Sequence, residues 1–333
     1  MMKCVILLQL GTPKELNDSA IRDYLREFLM DPRVINMPAF LRYVLVNEII
    51  IPRRTQKVRQ RYELVWDKHK GSPLKYYGDS LAVQLNLILP DDYKVFHAMR
   101  YGSSSIQSIL EKAEQENPDE IIFVPLFPHE TAATTGSITT EVERVLSGLS
   151  VVPAVRWLPV FKNDQKYIGI MSDRLQMKKW KSYDIVLFSF HGLPLKQIEA
   201  DHRGVSCKSL GCHDLSNESN SSCYTHDCYR TAADIAKRAG ISDESFSLAF
   251  QSRFGKRWIG PQTEDVLADY AHNGKSVLLI APSFLTDCLE TSWEIGISFK
   301  EMFKKAGGNT FDWVNSLNDD SDWAALLAHR IVT

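Results

Sequence analysis

A nearly unbroken apolar run, Ile185 to Phe190, lies within Tyr183-Asp-Ile-Val-Leu-Phe-Ser-Phe-His-Gly-Leu-Pro194. It ends in His191 and is stopped at once by Gly192 and Pro194. A strand apolar on both sides is covered on both faces, as in a parallel sheet with helices above and below. In such sheets ligands bind in the crevice beyond the carboxyl ends of the strands. His191 therefore stands where chemistry is done, although a histidine that merely tethers a turn fits this stretch equally well.

The same plan recurs. Lys3-Cys-Val-Ile-Leu-Leu-Gln-Leu-Gly-Thr-Pro13 is also an apolar run closed by Gly-x-Pro. A second pair echoes in turn: Ile121 to Pro128 leads into a Thr-rich turn and a helix, and Ser276 to Phe284 leads into an acidic helix. The first and third segments resemble each other, as do the second and fourth. This predicts an α/β fold of two similar Rossmann-like domains, each a small parallel sheet flanked by helices, with an active-site cleft between them. The boundary falls between Pro153 and Lys162, where a short strand at Val155 to Leu158 ends in Pro159, so the domains are residues 1–157 and 158–333. Helical spacing marks Ser19 to Met30, Ser104 to Glu116 and Thr263 to His272, the last opening on a Thr-Glu-Asp signature.

Length and charge narrow the class. A chain of 333 residues is long enough for two domains. Its net charge of -2, with no long basic block, argues against a general nucleic-acid binder. The N-terminal apolar run is too short for a signal peptide, and no stretch reaches the ~18 apolar residues of a spanning helix. The expectation is a cytoplasmic protein, with contact to the inner face of the membrane through one segment. That segment, residues 34–54, is unusually apolar and closes on Arg53 and Arg54. It reads either as a core helix or as an exposed lip for a greasy ligand or a membrane surface.

Two clusters can carry chemistry. In the acidic helix predicted over 287–306, Asp287, Glu290 and Glu294 follow a three-then-four spacing that puts all three on one helical face. Asp287 also reads as an N-cap with Glu290 completing a capping box, which leaves Glu294 over. The other cluster is Cys207-x4-Cys212-x10-Cys223-x4-Cys228, in a Ser/Asn/Gly-rich loop over residues 203–229 that cannot bury a core of its own. Four thiolates from one loop suit a tetrahedral zinc or an iron–sulfur cluster. His202, His213 and His226 lie nearby and can replace a thiolate. Trp258, on a glycine-punctuated loop, suits a flat ligand, and Arg53, Arg54, Lys57 and Arg100 beside apolar surface suit carboxylate tails.

Taken together, these residues resemble the ferrochelatases, which insert ferrous iron into a porphyrin. The resemblance spans essentially the whole chain. It rests on Ser189-Phe-His-Gly-Leu-Pro194, Gln251-Ser-Arg-Phe-Gly255, Trp258-Ile-Gly-Pro-Gln-Thr263 and Asp287-Cys-Leu-Glu-Thr291. Arg53-Arg-Thr55, Gly71-Ser-Pro73, Arg100-Tyr-Gly102 and Thr134-Thr-Gly-Ser137 support it.

The resemblance implies that His191 is the active-site histidine, that Glu290 faces it, and that both meet the substrate iron. It implies that Asp287 and Glu294 form an acidic path leading away from Glu290. Leu10, Arg53, Ser72, Arg100, Tyr101, Trp258 and Phe284 match positions that line or rim the porphyrin pocket, and residues 34–52 match its lip.

The implied reaction puts Fe²⁺ into protoporphyrin IX to give haem b. Coproporphyrin III, or another metal or tetrapyrrole, is the alternative, and a non-catalytic carrier is the rival class. Some ferrochelatases hold a [2Fe–2S] cluster, so Cys207, Cys212, Cys223 and Cys228 are expected to bind one, with structural zinc as the alternative. Pro128-His129-Glu130 departs from the Gln-Tyr or Gln-Phe usual in relatives. The oligomeric state is left open.

Overall fold

The computed structural model describes residues 1–202, 204–215 and 223–333, so residues 203 and 216–222 of the Cys-rich loop lie outside the described residues. The chain divides into two compact units. The first comprises Met1–Val160, Thr286–Leu289 and Asn318–Thr333; the second comprises Phe161–Leu285 and Glu290–Leu317.

The first unit is built on four parallel strands: β1 (Lys3–Thr12), β2 (Tyr93–Gly102), β3 (Glu120–Pro125) and β4 (Ala154–Trp157), in the order β2-β1-β3-β4. Cys4 to Leu8 at its centre are fully buried. Alternation sends Cys4, Ile6 and Leu8 into one cluster with Ile109, Leu110, Ile138 and Val142 from the helices Ile106–Glu114 and Ser137–Leu146. Val5 and Leu7 face the other way, where the helix Pro73–Ile88 packs on β1 and β2. Each such side chain contributes about 1.5–3 kcal/mol on burial, so the double-sided run is itself the fold's anchor.

The last helix, Ser321–Val332, returns to this unit through Ser80 Oγ donating to Asp319 at 2.5 Å and Arg330 donating to the Pro159 carbonyl at 2.8 Å.

The second unit repeats the topology. Strands β5 (Ile185–His191), β6 (Phe246–Gln251), β7 (Val277–Ile280) and β8 (Phe311–Val314) are parallel, in the order β6-β5-β7-β8. The segments that echo in the sequence are thus the two inner strands of each sheet, β1 with β5 and β3 with β7. Leu187, Leu279 and Ala249 join Leu267, Ile295, Phe299 and Phe303 in one core cluster. The helix Thr263–His272 starts and stops where its sequence pattern does.

The segment 34–54 is part buried and part exposed. It forms the helix Ala39–Val44, a π-helical stretch Leu45–Ile50 and the start of the helix Ile51–Glu63. Val46 and Ile51 pack on Ile21 and Leu25, whereas Phe40, Leu41, Tyr43 and Ile49 are exposed, Phe40 by 74%. Among the described residues no helix is long and apolar enough to cross a membrane.

Candidate active site

β5 delivers His191 at its last position, opposite Gln251, the last residue of β6. The imidazole is half-buried, with the Phe284 ring edge-on at 6.1 Å between centroids. Burial pulls its pKa below the ordinary histidine value, against the Glu290 carboxylate, which pulls it up. The first effect wins, so the ring is neutral at neutral pH and offers a lone pair. Gly192 follows because nothing larger fits: a Cβ there would lie 2.8 Å from the Gln251 carbonyl oxygen and 3.4 Å from the Trp258 ring.

The acidic helix opens at Glu290, as a π-helix Glu290–Phe299 that runs on into Lys300–Lys305. Its i→i+5 hydrogen bonding widens the turn, and Glu290 and Glu294, four apart, stand about one turn from each other. Glu294 accepts from Ser252 Oγ at 2.6 Å and from Gln251 Nε2 at 3.1 Å. Burial pushes its carboxyl up to about 7, aided by the charge of Glu290 and only partly offset by the Ser252 hydrogen bond. A carboxyl poised there exchanges protons readily at neutral pH.

Asp287 precedes the helix and groups with the first unit. Its backbone N–H donates to Asn318 Oδ1 at 2.8 Å, and its carboxylate accepts from Asn318 Nδ2 at 2.7 Å.

The second unit thus brings together His191, Glu290, Glu294, Trp258 and Phe284, while Leu10, Arg53, Ser72, Arg100, Tyr101 and Asp287 belong to the first. Leu10 is half-buried near the end of β1, and Arg53 is exposed on the helix Ile51–Glu63. Ser72 is buried and caps the helix Pro73–Ile88 by accepting from the Lys75 N–H at 3.4 Å.

Arg100 and Tyr101 are tied to Asp31, whose carboxylate accepts from Arg100 at 3.0 Å, Tyr101 at 2.8 Å and Ser137 at 2.5 Å. Burial alone would raise the Asp31 carboxyl; these hydrogen bonds and one from the Arg33 N–H hold it below its usual range. Tyr101 is fully buried, so its hydroxyl serves this network. Asp31 carries no sequence signal beyond being polar beside apolar neighbours, whereas Ser137 closes the Thr134-Thr-Gly-Ser137 match.

The cysteines form a separate group. His202 follows the helix Leu195–Asp201, Cys207 opens the short helix Cys207–Leu210, Cys212 follows it, and Cys223 caps the helix Tyr224–Ala239. The ligand atoms of His202, Cys207, Cys212 and Cys223 all lie within 4.8 Å of one another. Two pairs are closer: Cys207 Sγ to Cys223 Sγ at 3.5 Å, and Cys212 Sγ to His202 Nε2 at 3.4 Å. The Cys207 thiol hydrogen-bonds to Cys223 and holds it down to about 4, while burial pushes Cys212 up to about 11. A soft donor set with one ready thiolate fits a transition metal. Cys228 lies outside this group, fully buried on the helix Tyr224–Ala239, and His202 stands in its place.

The ferrochelatase family profile matches residues 2–333 of this sequence. The ferrochelatase of Legionella pneumophila (strain Corby) is 36% identical over 334 residues, covering 100% of this chain and 99% of its own. That of Francisella tularensis subsp. holarctica (strain OSU18) is 37% identical over 338 residues, covering 99% and 95%. The solved structure of SirB from Bacillus subtilis with Fe3+ shares the fold, with a TM-score of 0.52 at 11% identity over 100% of this chain and 95% of that one. With the His191 site and its acidic π-helix in place, this full-length agreement shows that the chain belongs to the ferrochelatase family.

Proposed function

We propose that this enzyme inserts Fe²⁺ into protoporphyrin IX to form haem b, with coproporphyrin III as the alternative substrate. The observation that carries the reading is His191 at the end of β5, within reach of the Glu290 charge, with Glu290 then Glu294 as a carboxylate row on one helix. Metal insertion requires two pyrrole N–H protons to leave as the cation enters, and bending the macrocycle exposes its nitrogen lone pairs.

His191 has the lone pair to take a proton or to meet the iron. Glu290 is the partner carboxylate, and Glu294 passes protons between Glu290 and the Ser252–Gln251 end of β6. Asp287 is assigned to the same acidic path. Trp258 and Phe284 supply flat apolar surface beside His191, and Leu10, Arg53, Ser72, Arg100 and Tyr101 are assigned to the porphyrin rim. The exposed Phe40, Leu41, Tyr43 and Ile49 are the surface with which the enzyme meets a membrane.

The cysteine group is read as the site of a [2Fe–2S] cluster, which supplies redox and iron sensing when bound. The thiolate-rich donor set of Cys207, Cys212 and Cys223 supports that reading. Zinc is the second reading. Bonds of about 2.0–2.3 Å to one tetrahedral ion place ligands roughly 3.3–3.8 Å apart, near the observed spacings. Visible absorption with iron and sulfide analysis separates the two; a colourless, zinc-loaded protein removes the cluster. Cys207→Ser is expected to lose the metal, and full retention would take Cys207 out of the ligand set.

Anaerobic Fe²⁺ insertion, with protoporphyrin IX and coproporphyrin III side by side, tests the main reading. Turnover of neither porphyrin overturns it.

A further inference from the structure

Alternate residues of a parallel strand address opposite neighbours. Ile185 donates to the Ser276 carbonyl on the β7 side at 3.2 Å, whereas Gly192 donates to the Gln251 carbonyl on the β6 side at 2.8 Å. His191, in phase with Ile185, therefore addresses the β7 side. There its pairing strand has run out: the last register pair is Phe188 with Ile280, three residues short of His191. A backbone donor and acceptor at a half-buried strand end must find other partners.

Two side chains take the place of the missing strand. The His191 N–H donates to Ser283 Oγ at 3.3 Å, and the His191 carbonyl accepts from the Tyr224 hydroxyl at 2.7 Å. The Tyr224 side chain is itself hydrogen-bonded to Ser283 and to Cys228. A phenol has one proton to give and lone pairs to receive with. With its proton on the His191 carbonyl, Tyr224 keeps its lone pairs to accept from Ser283. The ring of bonds through His191, Ser283 and Tyr224 ties both the N–H and the carbonyl of His191 on that side. Cys228, which stands outside the metal-ligand group, lies beside the Tyr224 hydroxyl. Tyr224 is buried and directly follows Cys223, so the last ligand of the cysteine group lies one peptide bond from this clamp.

We infer that Tyr224, with Ser283, is a positioning residue that fixes the His191 backbone and so aims its imidazole. This rests on the assignment of His191 to metal insertion. Tyr224→Phe removes the proton donor and keeps the ring. The expected result is a kcat about tenfold lower, the scale of one hydrogen bond at a reacting group, with the porphyrin KM within about twofold of wild type. Metal content of the cysteine site should be unchanged. In protein labelled at histidine, the ring resonance that disappears in His191→Ala should shift.

Ser283→Ala should show the same kcat-only loss, and the double variant should be no worse than either single one, because the bonds act as one unit. Wild-type kcat in Tyr224→Phe, or loss of metal together with kcat, overturns the inference. If Tyr224→Phe does not fold, Ser283→Ala decides on the same criteria. A wild type that inserts no metal overturns the proposed function instead, while the histidine resonance still reports whether Tyr224 sets His191.

Discussion

Each of the two sheets carries a histidine on one of its two neighbouring strands β1/β2 or β5/β6, and a glutamine on the other, and the two histidines live differently. In the first unit His97 sits inside β2, buried, with Nδ1 2.9 Å from Asp79 and Nε2 2.9 Å from Gln9, whose amide donates to Thr286 at 2.7 Å. The space for its ring exists because the facing helix has Gly78; a Cβ there would fall 2.3 Å from the imidazole. In the second unit His191 is the last residue of β5, with an aromatic edge on one side and the Glu290 charge acting on it. The glutamine opposite, Gln251, accepts from Ser189 at 2.8 Å and donates to Glu294. The same scaffold thus uses a histidine within a strand to close a polar network and places the other at a strand end, where it is proposed to meet the substrate. Position relative to the carboxyl end decides which.

The largest expected effect follows from that difference. His191→Ala should lower iron insertion by about 10²- to 10⁴-fold, the range of general acid–base groups, with the melting temperature nearly unchanged. Glu290→Gln should fall toward the lower end of that range; turnover within threefold of wild type would favour a helix-end role for this residue. His97→Ala should do the reverse. It leaves Asp79 and Gln9 facing a void, at a cost of about 2–4 kcal/mol, seen as a lower denaturant midpoint, while kcat stays within about threefold. Equal losses of turnover in the two histidine variants would erase the distinction.

Much of this was legible in the sequence, for physical reasons. Double-sided apolar runs such as Val5 to Leu8 and Val186 to Phe188 can be stable only between two layers, so they announce the parallel sheets and their repeat. The outer strands β6 and β8 did not stand out, because Phe246–Gln251 and Phe311–Val314 carry part-exposed and polar positions. The three-then-four spacing of Asp287, Glu290 and Glu294 assumes an α-helix. The chain instead starts a wider π-helix at Glu290 and leaves Asp287 paired with Asn318, a partner 31 residues on that no local pattern reports. His202 enters the cysteine group for the same reason: spacing counts thiols, and only the fold shows which nitrogen arrives beside them.

The smallest effect is the one whose sign is least intuitive. Most carboxylates in folded proteins are stabilised as anions; Glu294 is the opposite case, its carboxyl raised from the ordinary 4.5 to about 7 by burial. Between those two values the folded state binds a proton that the unfolded state has released, so stability falls as pH rises through that window. Below it both states are protonated and the cost vanishes; above it the full cost is present. Glu294→Gln keeps an acceptor for Ser252 and removes the buried charge. The variant should therefore melt a few degrees higher than wild type at pH 8 and at the same temperature at pH 4, by calorimetry in matched ionic strength. The corresponding wild-type loss of kcat/KM on acidification through about pH 7 should weaken in the variant. A variant less stable than wild type at pH 8 would mean that the hydrogen bonds from Ser252 and Gln251 outweigh burial, and that Glu294 is held as an anion for structure rather than poised for proton transfer.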